Sequence, residues 1–253
     1  MGELAHTVNP FNGVVIDSAR LTDDPAEFET SLALSLHTWK QQGYKVVWLE
    51  LPLAKSALVP VAARAGFEYH HADKDYVEMT LALEEGAHVP NYASHYIGAG
   101  GVVLNDNKEL LVVSELHRRN RRGPAYKLPG GALYPGEHVV EGVVREVLEE
   151  TGVHAAFDAL VCFRHWHGYR YRKSDIYFVC RLTALSSEIT RQVDEIEDCL
   201  WMPVEQYLSQ DDTSPFNKSI VRAAVTSPGI KPSQMDGYDD PSKYEFFMPR
   251  ETV

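Results

Sequence analysis

Residues 131–153, GALYPGEHVVEGVVREVLEETGV, constrain this chain more than any other stretch. A glycine-bearing turn leads to Glu137, then an amphipathic pattern runs to about Thr151 and stops at Gly152, a residue suited to a helix C-cap. On a wheel of about 100° per residue, Val140, Val143, Val144, Val147 and Leu148 share one broad apolar face that must pack on a sheet. Glu146, Glu149 and Glu150 share a second, narrower face, with Gly142 one turn earlier keeping that surface open. Carboxylates at these spacings repel one another and destabilise a helix. A hard divalent cation offsets the repulsion, and carboxylate-rich sites suit Mg²⁺ or Mn²⁺. The face carries no His or Cys, which argues against zinc. Arg145, one helical turn before Glu149, is placed to brace that carboxylate. Mg²⁺ is usually held by a few carboxylates together with substrate phosphates, so the substrate that fits is a diphosphate or polyphosphate. Taken alone, REVLEE fits a solvated surface helix better; the spacing of the whole stretch decides otherwise.

The rest of the chain divides around this helix. Residues 1–92 read as a small α/β domain: a helix opening at Pro25-Ala26 with Phe28, Leu32, Leu36 and Trp39 at helical spacing, a strand over Lys45–Leu51, and a helix over Lys55–Arg64. Two further strands follow, Phe67–His70 and Tyr76–Leu83. On a regular strand the adjacent His70 and His71 point to opposite faces and do not chelate together. The linker chemistry of Glu84–Ser94 leads into a strand-rich domain over 93–225. It shows a hairpin about Asn105-Asp106-Asn107, strands at Ala159–Arg164 and Ile176–Leu182, and short helices at Val204–Leu208 and Ser219–Ala224. Residues 226–253 read as an extended tail in which Tyr244, Phe246 and Phe247 are free to dock. The net charge of −12 disfavours general affinity for phosphate backbones, which makes a nucleic-acid partner unattractive. No apolar run is long enough for a membrane span, the start lacks the pattern of a signal peptide, and His6 stands where myristoylation requires Ser or Thr. The three cysteines are too few for a disulfide framework, so a cytoplasmic setting is expected.

The stretch 131–153 resembles the Nudix box, G-x5-E-x7-R-E-U-x-E-E-x-G-U with U aliphatic. Gly131, Glu137, Arg145, Glu146, Val147, Glu149, Glu150, Gly152 and Val153 satisfy it without an insertion. Ala93–Glu115, KLPGG (Lys127–Gly131), SDIYFVCRL (Ser174–Leu182) and EIEDCLWMPVEQY (Glu195–Tyr207) extend the resemblance over about 93–225. More loosely, KVVWLELP followed by a helix and GFEYHHA is similar to the domain preceding Nudix in plant ADP-ribose/NADH pyrophosphatases and in an animal relative. The resemblance implies an α/β/α sandwich with a mixed sheet, preceded by a small α/β domain. It further implies hydrolysis of a nucleoside diphosphate linked to another moiety, with Mg²⁺ or Mn²⁺ as cofactor.

Carried over by position, Glu146 and Glu150 are the principal metal carboxylates, Glu149 assists, and the backbone carbonyl of Gly130 or Gly131 is a further ligand. Glu137 is structural or outer-shell. The general base of such enzymes varies; Glu195 is the candidate here, with Asp194 and Glu197 as rivals. Substrate contacts are expected from Arg118 and Arg119 in the basic loop HRRNRR, where a solvated loop or a dimer contact fits equally. Lys127 at the approach to the box is a further candidate. Trp166, Tyr169 and Tyr171 in RHWHGYRYRKSD offer rings for base stacking, against the rival reading of an exposed hairpin tip. The signature of NADH-specific relatives, SQPWPFPxS, is absent. Tyr169 stands where ADP-ribose enzymes often carry Pro and diadenosine-polyphosphate enzymes Tyr. The two-domain layout favours ADP-ribose or NADH, and a non-catalytic ligand sensor is the alternative of a different class. The apolar helix face and exposed aromatics of the first domain fit a dimerisation role, as a homodimer, or a substrate-lid role.

Overall fold

The computed structural model describes residues 2–117 and 125–249. Two compact units divide the chain, residues 1–94 and 95–253. In the first, strands β1 (His6–Val8), β2 (Gly13–Ile16), β3 (Val46–Pro52), β4 (Glu68–Ala72) and β5 (Tyr76–Ala82) form a sheet of order β1-β2-β3-β5-β4. Helix α1 (Pro25–Gln41) starts where Asp24 accepts from the amides of Ala26 and Glu27 and Pro25 needs no donor of its own. Its Phe28, Leu32 and Trp39 are buried with Val47, Leu49, Leu51 and Met79 of the sheet. The helix expected over Lys55–Arg64 is shorter. Residues Leu53–Leu58 form a 3-10 turn, and α2 (Val59–Arg64) begins only at the bond before Pro60, which lacks the N–H that a continuous helix requires. The expected separation of His70 and His71 also fails. The β4/β5 register slips between Tyr69 and His71, and this bulge turns the two rings together, Nδ1 to Nδ1, at 2.8 Å.

The second unit holds β6 (His95–Leu104), β7 (Glu109–Glu115), β8 (Gly130–Ala132), α3 (Val139–Thr151), β9 (Ala155–Trp166), β10 (Ser174–Ala184), β11 (Ile196–Pro203), α4 (Val204–Ser209), α5 (Pro215–Thr226), β12 (Pro232–Ser233) and β13 (Phe246–Phe247). Its main sheet has the order β11-β7-β6-β10-β9, with β6 and β10 parallel and the other pairs antiparallel. Alternation along the strands feeds two cores. Ala99, Val103, Leu111 and Leu182 pack against Val143 and Val147 of α3. Val102, Leu110, Val112 and Val179 pack against Tyr207, Ile220 and Val221 of α4 and α5 on the opposite face. Helices therefore cover both faces of a mixed sheet.

Two details place the site. Strands β6 and β7 pair at Leu104 and Leu110, and beyond that point the segment 127–132 lies between them. It is bonded to β7 through Val113 and Lys127 and to β6 through β8. The stretch after Thr226 is folded onto the unit rather than extended. Ile230 bridges Leu160, Phe247 packs on Phe157, and Glu245 accepts from the amides of Val139 and Val140 at the start of α3.

Candidate active site

Helix α3 meets its wheel only in part. Val143 and Val147 are fully buried and Val144 packs beside them, but Leu148 is 39% exposed, because the inward stripe is narrower than the apolar set. Gly142 does not leave an open surface: a Cβ there would lie 3.1 Å from both Leu133 and Glu137, which fold over it. Gly152 closes the helix in the left-handed region, with φ at 71°, as a C-cap requires.

Arg145 organises the acidic face. Its guanidinium donates to Glu137 (2.7 and 2.9 Å), Glu146 (2.9 Å), Glu149 (2.9 Å) and the carbonyl of Ala132 (3.1 Å). These bonds hold the Glu137 carboxyl below the usual carboxylate range. Burial instead raises Glu146, partly offset by Arg145, and pushes Glu150 up to about 7, partly offset by Lys127 and by the Gly130 N–H that donates to it at 2.9 Å.

Glu146 and Glu150 line a cavity of about 590 Å³ together with Glu115, Glu195, Lys127, Gly130 and Gly131. Tyr96, Arg164, Tyr169, Arg170, Tyr171 and Asp175 line it as well. Lys127 pairs with Glu115, and Arg164 pairs with the buried Asp175 while lying over the rings of Trp166, Tyr177 and Phe216. The structure thus brings Glu146, Glu150, Gly131, Lys127, Glu195, Tyr169 and Tyr171 to one cavity. Glu195 sits in the turn before β11, and its rivals Asp194 and Glu197 are not among the lining residues. Glu149 is half exposed and reaches the site through Arg145. Trp166 is not part of the lining; it stands behind Tyr169, with ring centroids 5.6 Å apart. Arg118 and Arg119 lie outside the described residues. The sequence reading missed Arg164, Asp175, Glu115 and Tyr177. The alternating glycines of IGAGG, which mark a strand against which something large is laid, were the available signal for Tyr177.

The donor set fits a hard divalent cation: it is all carboxylate and carbonyl oxygen, and Glu150 is a buried carboxylate otherwise costly to ionise. As the side chains stand, Arg145 takes up oxygens of Glu146 and Glu149. No three His, Cys, Asp or Glu groups among the described residues already enclose an ion-sized position.

The NUDIX domain family model matches residues 94–224, the unit that holds this cavity, and the Nudix hydrolase domain model matches residues 4–83. The chain belongs to the Nudix hydrolase family. It is similar to Nudix hydrolase 8 of Arabidopsis thaliana, 43% identical over 202 residues, which cover 79% of this chain and 55% of that one. Nudix hydrolase 2 of the same plant is 45% identical over 188 residues, 74% of this chain and 68% of the relative. Human nucleoside diphosphate-linked moiety X motif 6 is 33% identical over 228 residues, 87% of this chain and 71% of the relative. The chain spans little more than half the length of the first of these. Both units of this Nudix protein, and not the box alone, carry the family likeness.

Proposed function

We propose that this protein is a Mg²⁺- or Mn²⁺-dependent pyrophosphohydrolase that cleaves the diphosphate of nucleoside diphosphate derivatives, with ADP-ribose or NADH as its substrates. The observation that carries the reading is the lining of the cavity: Glu146, Glu150, Glu115 and Glu195 together with arginine and tyrosine side chains. A nucleotide diphosphate has the matching layout, phosphates to share with a cation and a base to lay against rings. Glu146, Glu150 and the Gly131 carbonyl would hold the cation, with Glu149 assisting. When bound, it neutralises charge on the phosphates and lowers the pKa of an attacking water. Arg145 fixes the Glu146 carboxylate from behind. Glu195, free in a turn at the cavity edge, is the group to accept the water's proton. Tyr169 and Tyr171 offer their rings to the base, and the tyrosines equally suit a diadenosine polyphosphate, the second substrate class. The first unit serves dimerisation, and a monomer in analytical ultracentrifugation at micromolar concentration would count against that role.

The test is hydrolysis of ADP-ribose, NADH, diadenosine polyphosphates and capped RNA with Mg²⁺ or Mn²⁺, beside the Glu150→Gln variant. Cleavage of ADP-ribose or NADH that the variant loses supports the reading. Absence of variant-sensitive cleavage of any of them replaces it with a ligand sensor.

A further inference from the structure

Tyr177 shapes the floor of this cavity, yet nothing above gives it a role. It stands opposite Gly98 in the parallel register of β10 and β6, and its ring lies along β6. A Cβ on Gly98 would come within 3.0 Å of that ring, and a Cβ on Gly100 within 2.2 Å of its hydroxyl oxygen. Gly130, the β8 partner of Gly100, would place a Cβ 2.7 Å from the same oxygen. Glycines on two strands thus keep clear the space one phenol fills, and glycine inside a strand weakens it. At Gly130 a Cβ would meet the Ala99 carbonyl at 2.3 Å and the Gly100 Cα at 2.5 Å before the phenol oxygen, so the close approach of β8 to β6 and the seat of the hydroxyl coincide there.

That oxygen lies beside the Gly130 whose N–H donates to Glu150. The Arg164 guanidinium lies over the ring, 5.5 Å from its centre. Among the described residues four glutamates line the cavity, with a single lysine that is paired with Glu115. An anionic substrate drawn to a cation among these carboxylates needs donors. Another ammonium group would compete with a cation for the carboxylates, whereas a phenol O–H donates without adding charge.

We propose that the Tyr177 hydroxyl is a substrate-positioning donor that binds a non-bridging oxygen of the diphosphate in the cavity between Glu150 and Arg164. The inference rests on the pyrophosphohydrolase reading. It is tested with Tyr177→Phe, which keeps the ring in its glycine cradle. Inorganic pyrophosphate binding in the presence of Mg²⁺ is measured by titration calorimetry for wild type and variant, beside their melting temperatures. The expected result is a rise in Kd of about tenfold, the scale of one lost hydrogen bond to a charged group, with the melting temperature unchanged. In turnover of ADP-ribose the loss is expected in KM more than in kcat. Unchanged pyrophosphate affinity in the variant overturns the proposal, whether or not the variant melts lower, and leaves the hydrolase reading standing. Failure of the wild type itself to bind pyrophosphate overturns both.

Discussion

At the residue scale, Arg145 is the side chain on which the site's geometry depends most. It holds three carboxylates and a carbonyl at once and lies 4.0 Å from the centre of the Tyr134 ring. Lysine offers a single point charge where the guanidinium fork makes several directed bonds. Arg145→Lys is therefore expected to lower kcat/KM at least tenfold and to destabilise the fold by about 1–3 kcal/mol, read from hydrolysis rates and urea unfolding. Glu195→Gln tests the proposed base: a fall of about 100-fold in kcat is expected, and unchanged turnover removes the residue from the mechanism. A third carboxylate acts on stability alone. Glu78, half-buried opposite Glu50 in the β3/β5 register, is pushed up to about 7 by burial and then by Glu50. Its folded pKa lies above the ordinary carboxylate value, so between about pH 4.5 and 7 the native state keeps a proton that the unfolded chain has lost. Stability therefore falls as pH rises through that window and levels off above it. Glu78→Gln should leave stability at pH 4 nearly unchanged and raise it at pH 8 by about 1 kcal/mol, after allowance for solvent screening. Urea midpoints at the two pH values check the sign.

At the scale of the element, α3 shows what the sequence made legible and what it hid. Its C-terminal limit, its C-cap at Gly152 and its Arg145–Glu149 brace follow from spacing, because helix neighbours lie within a turn of one another. Its N-terminus did not follow. Glu245 arrives from the chain's far end to accept from the Val139 and Val140 amides at 3.0 and 3.2 Å, and the Pro241 carbonyl meets the His138 ring. No local pattern announces a cap separated by a hundred residues. The same holds for Tyr177 and Arg164, whose partners are set by strand register rather than by chain neighbours. His70 and His71 were misread for a related reason: one bulge reverses the alternation on which the reading relied. Because a carboxylate at a helix start satisfies free amides and opposes the positive end of the dipole, Glu245→Ala should cost about 1–2 kcal/mol. Thermal melts measure that loss. Hydrogen exchange should show faster exchange confined to the first turn of α3, and an unchanged first turn would assign the cap elsewhere.

For the whole molecule, the net charge of −12 says less than its distribution. Four glutamates of the excess line one cavity, where a bound cation turns them from a barrier into the means of holding phosphate. The division into two units is likewise more informative than the length. Each has its own buried cluster: Val14, Phe28, Trp39, Leu49 and Met79 in the first, and the two cores flanking the main sheet in the second. Among the described residues those that line the cavity belong to residues 95–253, and so does Glu245, the cap on α3. A domain with its own core and its own helix caps has what it needs to fold alone. Residues 95–253 expressed without the first unit are therefore expected to melt cooperatively. They should keep Glu150-dependent hydrolysis within about tenfold of the full chain, since each tenfold in rate corresponds to only about 1.4 kcal/mol in the transition state. The same segment cut back to residue 225 should melt lower, because it loses Glu245 and the Phe247 contact with Phe157. Circular dichroism melts and steady-state rates on the three proteins decide the matter. A unit that stays folded but loses all turnover would assign the first unit a direct part in catalysis.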